Sequence, residues 1–114
     1  MAGRDDAFDG QDSRQVPALL VREMGCTEAD LIRWLPGATR HAAIESSALD
    51  NGHCYRIAIG SGKVEIHAAP APPRRIAGIV LPVLMVRFRF IGLDAAERRD
   101  FLDYFDRYTR RGGG

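Results

Sequence analysis

The feature that constrains the fold most is a regular alternation of apolar and polar side chains between residues 54 and 68. Apolar side chains take every second position along residues 55–59 and 64–68, and the turn Gly60-Ser61-Gly62 separates the two stretches. This pattern predicts a β-hairpin in which each strand has one apolar face. Because a sheet built on this hairpin has one apolar face, other elements must cover that face.

Further strands are predicted on both sides of the hairpin. A turn is predicted at Asp50-Asn51-Gly52, just before the hairpin, because Asn and Gly tolerate positive φ. A further strand is predicted before this turn, over residues 41–46. Residues 69–75, with the sequence APAPPRR, are expected to form a proline-rich loop that cannot join a ladder. Residues 76–81 are expected to form an edge strand, which Pro82 ends or bends.

Residues 83–91 form the strongest predicted strand, because two rows alternate along it. The apolar row is Leu84, Val86, Phe88 and Phe90, and the other row is Met85, Arg87 and Arg89. We expect the two phenylalanines to be buried under a helix, with the arginines in water. Aromatic side chains on such a strand also suit an RNA-binding sheet, but buried rings are unable to stack on bases.

Two short helices are predicted before the sheet. Residues 17–24 begin with proline and are followed by Gly25, which is typical of a helix with its C-terminal cap. Thr27 resembles an N-cap and predicts a second helix over residues 28–35, which Pro36-Gly37 stops.

The predicted fold class is therefore α+β. It is a single antiparallel sheet of four to five strands, covered on one face by the N-terminal helices and by a C-terminal helix over residues 95–109, in the order α-α-β-β-β-β-α. We expect one domain over residues 16–109, since 114 residues suffice for one core. Residues 1–15 are polar and predict a disordered leader, and residues 110–114 predict a flexible tail.

The composition narrows the class of protein. Sixteen basic residues against fifteen acidic ones give a net charge of +1, which excludes binding a polyanion by bulk charge. All basic residues except Lys63 are arginines, a bias typical of a GC-rich bacterial genome. The chain has no signal-peptide pattern and no run of about 18 apolar residues, so we expect a cytoplasmic protein without membrane contact. Cys26 and Cys54 are expected to be reduced thiols in the core.

No motif points to catalysis, and we predict no catalytic residue, no metal and no cofactor. Gly60-Ser61-Gly62-Lys63 lacks the first glycine and the final Ser or Thr of a phosphate-binding loop. His53 and Cys54 are adjacent on a predicted strand, so their side chains point to opposite faces and do not share a metal ion. A site assembled from distant residues stays open as an alternative.

The candidate site is the sheet face that no predicted helix covers. It is expected to carry Arg56, Glu65, His67, Arg87 and Arg89, flanked by Arg74 and Arg75 in the proline-rich loop. Arginine forms planar, bidentate contacts with anionic groups. The leading hypothesis is a non-enzymatic accessory or binding module that contacts a protein partner or a small anion through this face.

Other interpretations stay open at this point. The same arginines could contact nucleic-acid phosphates, which predicts an affinity that falls steeply with salt. The chain could be a small enzyme or a metal protein. The apolar residues of the two N-terminal helices are compatible with a homodimer. The arginine-bearing face could also be merely solvated.

Overall fold

The computed structural model describes residues 16–110, which form five strands and two helices. The elements are β1 (Leu19–Met24), α1 (Glu28–Ala38), β2 (Ile44–Leu49), β3 (Gly52–Ile59), β4 (Gly62–Ile76), β5 (Ile79–Ile91) and α2 (Ala95–Arg110). The strands form one antiparallel sheet in the order β1-β5-β4-β3-β2. The α+β class and the single antiparallel sheet are therefore confirmed. The predicted leader and residues 111–114 lie outside the described residues.

The predicted order α-α-β-β-β-β-α is wrong at the first element, because residues 19–24 form an edge strand. β1 pairs with β5 in a ladder that runs from Leu19 opposite Arg89 to Met24 opposite Leu84. An isolated helix of about seven residues is marginal in water. The open edge of β5 offers the same segment a complete ladder, so tertiary pairing decides its conformation.

α1 begins as predicted but runs beyond the expected stop. The amide of Asp30 donates to Thr27 Oγ1 at 3.1 Å, and the amide of Thr27 donates to Asp30 Oδ2 at 3.1 Å, which completes a capping box. The helix continues through Pro36 and Gly37 to Ala38. Pro36 removes only one helical hydrogen bond near the end of α1. Gly37 lies against the Tyr108 ring of α2, and a Cβ there would overlap the hydroxyl group.

β4 and β5 are much longer than the predicted strands and project from the sheet as a two-stranded arm (residues 72–82). The expected loop at residues 69–75 is part of β4, and the expected edge strand at residues 76–81 is divided by a turn at Ala77-Gly78. Both turn residues have positive φ, 51° and 83°, the geometry of a two-residue hairpin. The arm raises the radius of gyration to 15.5 Å, above the 12–13 Å or so of a compact domain of this size.

The prolines are tolerated because the ladder does not need their missing N–H groups. The ladder is irregular between Ala71 and Arg74, where Pro72 and Pro73 lie opposite Pro82. The amide of Phe90 donates toward the β1 side of β5. By the alternation of a strand, Pro82 faces that same side, where β1 has already ended. The expectation that this segment cannot pair is wrong except at the break itself.

One face of the sheet packs against both helices and forms the core. Phe88 and Phe90 are buried as predicted, with the Phe88 ring 5.2 Å from Phe105 and the Phe90 ring 6.0 Å from Phe101 between centroids, both edge-on. Burying side chains of this size stabilises the fold by roughly 1.5–3 kcal/mol each. No helix of residues 16–110 covers the opposite side of the sheet, which we call the open face.

Candidate functional site

Four charged side chains of the open face lie in one row across the sheet, which we call the charge ladder. From β5 to β2 the ladder is Arg89, Glu65, Arg56 and Glu45. Arg89 Nη1 lies 3.5 Å from Glu65 Oε1, and Arg56 Nε lies 3.9 Å from Glu45 Oε1. The strand order therefore makes the sign of the charge alternate at each step. The predicted strand over residues 41–46 does not show that Glu45 ends this row, because the observed β2 is shifted to Ile44–Leu49 and its register across the Asp50-Asn51 turn pairs Glu45 with Arg56.

The next row of the open face brings together Arg87 and His67. Arg87 Nη2 lies 3.3 Å from His67 Nδ1, and Cys54 continues the row on β3. Cys54 is buried although it lies on this face, with the Arg56 guanidinium 3.8 Å from its sulfur. Arg87 has no carboxylate within ion-pair distance among residues 16–110. The predicted residues Arg56, Glu65, His67, Arg87 and Arg89 thus share one face.

The two arginines of the arm point in different directions. Arg74 Nη2 lies 2.8 Å from Glu23 Oε1 on β1, which places Arg74 on the open face. Arg75 is the next residue along the ladder, opposite Val80, and so faces the other side of the arm. The structure therefore brings Arg74 to the candidate site and does not bring Arg75 there.

The apolar part of the open face is not predicted from the sequence. Six large apolar side chains on this face are between 41% and 60% exposed. They are Leu19 and Val21 on β1, Leu49 on β2, and Ile76, Ile79 and Leu81 on the arm. The signal in the sequence is the period-two spacing of residues 79, 81 and 83, but it is hidden because Val80 between them is also apolar.

A shallow hollow of about 330 Å³ lies between the charged and the apolar parts of the open face. Val21, Met85 and Leu49 surround its apolar floor at Ala69, and Arg87 stands on one rim with His67. An apolar centre with an arginine-containing rim is the composition of protein–protein interfaces. The hollow is too open to enclose a small molecule as a buried ligand pocket does.

A separate hydrogen-bonded cluster lies on the covered side of the sheet, where α1 begins. Glu28 Oε2 accepts a hydrogen bond from the Tyr55 hydroxyl at 2.9 Å and lies 2.7 Å from His53 Nδ1. Burial, together with the Glu28 carboxylate, raises the pKa of Tyr55 above its ordinary value, so its hydroxyl stays a donor. In the sequence, His53 is a candidate as a metal ligand, and its contact with Glu28 is not predicted because the two residues are 25 positions apart.

Among residues 16–110, the His53 side chain of the Glu28–His53–Tyr55 cluster is hydrogen-bonded to a carboxylate and to no hydroxyl or thiol. Nucleophilic catalysis requires a hydroxyl or thiol within reach of the base. Among residues 16–110, His53 makes no side-chain hydrogen bond except the one to Glu28. That part of the chain also holds no group of three or more side chains suited to a metal ion. The cluster therefore joins α1 to β3 and orients the imidazole.

Another hollow, of about 220 Å³, lies where the end of α1 meets α2. The Arg40 guanidinium lies over the Tyr104 ring, 4.3 Å from its centroid. Arg40 and His41 both have positive φ, 57° and 61°, so the chain is strained as it leaves α1. The cation–π contact offsets part of that strain and anchors the corner between the two helices.

Comparison with known proteins finds no family model, no curated protein and no solved structure similar to this chain. Neither helix of the described residues has both the length and the apolar character that crossing a bilayer requires.

Proposed function

We propose that this chain is a non-enzymatic binding module that docks on a protein partner through its open face. The observation that carries this proposal is the six exposed apolar side chains on the one sheet face that no described helix covers. Removing such side chains from water is favourable by roughly 25 cal/mol per Å², and this gain must exceed the entropy cost of association before a complex forms. The charge ladder beside them supplies polar contacts that fix the orientation of a partner.

The charges of the open face favour a protein over a small anion or a nucleic acid. Arg89, Arg56 and Arg74 each lie within 4 Å of a carboxylate on another strand of the sheet. A phosphate approaching these guanidinium groups would meet the carboxylates as well, which repel it. A protein surface has charges of both signs and is able to complement an alternating ladder.

The proposed location is the cytoplasm of a bacterial cell. Cys26 and Cys54 are both free and buried. Two reduced thiols fit a compartment that keeps cysteines reduced, which supports this part of the proposal. The arginine-rich composition is the support for a bacterial source.

The proposal is tested with two double variants that add the same charge to different surfaces. The open-face variant carries Val21→Glu and Leu81→Glu, and the control carries Ile32→Glu and Val80→Glu, all at exposed positions. Val80 is adjacent to Leu81 but faces the other side of the arm. We expect the purified partner to bind the wild type and the control alike, and the open-face variant at least about tenfold more weakly.

Two outcomes would contradict the proposal. One is a partner that binds the open-face variant as tightly as the wild type. The other is a rise in melting temperature with phosphate or citrate that is lost when Arg87 and Arg89 are replaced, because that result would identify the face as an anion site.

A further inference from the structure

We propose that the partner is a second copy of this chain, packed open face to open face about a two-fold axis parallel to the strands. This inference rests on the proposed function, because it uses the same surface. A two-fold interface requires a surface that is complementary to itself. The charge ladder meets that requirement, since its signs run plus, minus, plus, minus across four strands.

The ladder also selects the direction of the axis. An axis midway between β4 and β3 lays β5 over the partner's β2 and β4 over the partner's β3. Arg89 then faces Glu45 of the partner subunit, and Glu65 faces Arg56 of the partner subunit. An axis parallel to the ladder would instead place Arg89 opposite Arg89 of the partner subunit. Like charges in contact cost several kcal/mol, so this axis is unfavourable. Strands that run nearly parallel across the interface are the usual arrangement of packed sheets.

One apolar contact of the open face fits the same arrangement, while β1 and the arm lie outside the four strands that overlap. Met85 and Leu49 occupy corresponding places on β5 and β2, so Met85 of one copy lies over the partner's Leu49. Both side chains border the shallow hollow, which the partner would fill from above. The arm extends beyond the Asp50-Asn51 turn that joins β2 to β3, so its apolar side chains reach past the partner's sheet.

The size and charge of the surface are compatible with a dimer. The four strands that overlap cover roughly 19 Å by 20 Å, or about 400 Å² in projection. The relief of the side chains adds to this area, which stays below the about 800 Å² per partner of a standard interface and is in the range of a weak, reversible dimer. The net charge of +1 per chain adds little repulsion between copies.

The test is a charge exchange between Arg89 and Glu45, measured by sedimentation equilibrium of the full chain. The wild type is expected at twice its 12.6 kDa mass. Arg89→Glu alone places two glutamates opposite each other, and Glu45→Arg alone places two arginines opposite each other. Because each substitution occurs twice in the dimer, each should raise the dissociation constant at least about tenfold. An equimolar mixture of the two variants should restore the dimer, and so should one chain that carries both substitutions.

Two exposed residues of α2 supply matched controls for charge. Arg99→Glu and Asp103→Arg change the net charge as the two ladder variants do, but they lie on the covered side of the sheet and should leave the dimer intact. Arg89 and Glu45 have side chains that are 64% and 82% exposed, so both ladder variants should fold.

Each result separates this inference from the proposed function. A monomeric wild type overturns the inference, whereas a different protein whose binding is lost in the Val21→Glu, Leu81→Glu variant still supports the proposed function. A dimer that both single variants retain overturns the inference, since it would use another surface. Failure of the mixture to dimerise overturns the proposed orientation.

Discussion

Gly37 is the residue that sets how closely the two helices approach. It lies in the last turn of α1 against the Tyr108 ring, where even one methyl group has no room. In the sequence, Pro36-Gly37 resembles a helix stop because both residues are poor helix formers. The sequence around them does not show that α2 packs against this turn of α1. The contact explains why a poor helix former stands inside a helix.

The Gly37→Ala variant should therefore lower the free energy of unfolding by about 1 kcal/mol, because displacing the Tyr108 ring costs about 1–3 kcal/mol and the better helix propensity of Ala offsets about 1 kcal/mol of it. Gly25→Ala is the matched control, since a Cβ at Gly25 meets nothing within 4 Å. Urea denaturation of the two variants and the wild type measures the difference. Equal stability of the two variants would show that α2 shifts without cost.

Tyr55→Phe should change how stability depends on pH. The variant removes the hydrogen bond to Glu28 and should lose about 1 kcal/mol near neutral pH. Burial and the Glu28 carboxylate raise the pKa of Tyr55 above the ordinary value of 10.0. The unfolded chain therefore releases this proton first, and the wild type loses stability as pH rises above 10. The variant has no such ionisation, so the difference between the two proteins should narrow there; a constant difference would contradict this account.

Cys26 should react slowly with alkylating agents in the folded protein. Burial, and to a smaller extent the Asp30 carboxylate, raises the pKa of its thiol from 9.0 to about 11. Because the thiolate is the reactive form, iodoacetamide labelling near pH 8 should be much slower than in denaturant. Mass spectrometry of the Cys26 peptide measures both rates, and equal rates would contradict the burial of this side chain.

At the scale of elements, strands with one buried row are the part of the fold that the sequence predicts. Ile57, Ile66 and Phe88 each belong to a strand with alternating apolar and polar residues, and all three are buried. This alternation predicts the strand and its buried face whichever strands lie next to it, because one face must be buried. β1 lacks this signal, since Leu19 and Val21 are exposed and half-buried Arg22 faces α2, where it pairs with Asp106. Its conformation depends on β5, which is distant in sequence.

The turn of the arm offers a test of this element alone. Ala77 has φ of 51°, a conformation that costs an L-residue roughly 1 kcal/mol and that Asn tolerates better. Ala77→Asn should therefore slow hydrogen exchange in the distal arm without changing exchange in the core. Ala58→Asn, at an exposed strand position with ordinary φ, is the control and should not slow exchange. Unchanged exchange in the arm would contradict the turn geometry.

At the scale of the whole molecule, the arm and the core should be separable. Ala71 pairs with Val83, so an Asn-Gly turn in place of residues 72–82 closes the hairpin in register. The shortened chain should keep its stability within about 1 kcal/mol, because nearly all the removed side chains are exposed. Its radius of gyration should be smaller than that of the wild type in the same oligomeric state, which small-angle scattering measures. A large loss of stability would show that the arm supports the sheet.

The candidate site was only partly predictable from the sequence. Alternation along β3, β4 and β5 is enough to place Arg56, Glu65 and Arg87 on one face. The predicted strand before β3 ends at residue 46, short of the Asp50-Asn51 turn, so the register that pairs Arg56 with Glu45 is not visible in the sequence. The orientation of Arg75 is hidden as well, because it depends on how the ladder resumes after the prolines.

The proline break at the root of the arm has a mechanical consequence. Cross-strand pairing is interrupted between Ala71 and Arg74 and resumes from Arg74 opposite Leu81 to Ile76 opposite Ile79. The ribbon therefore has an elbow with few bonds to resist bending, and a preformed tip beyond it. The angle between the arm and the sheet can therefore change at this break while the strands of the tip stay paired. Fitting the arm to another surface then requires bending at one position and no loss of the hydrogen bonds in the tip.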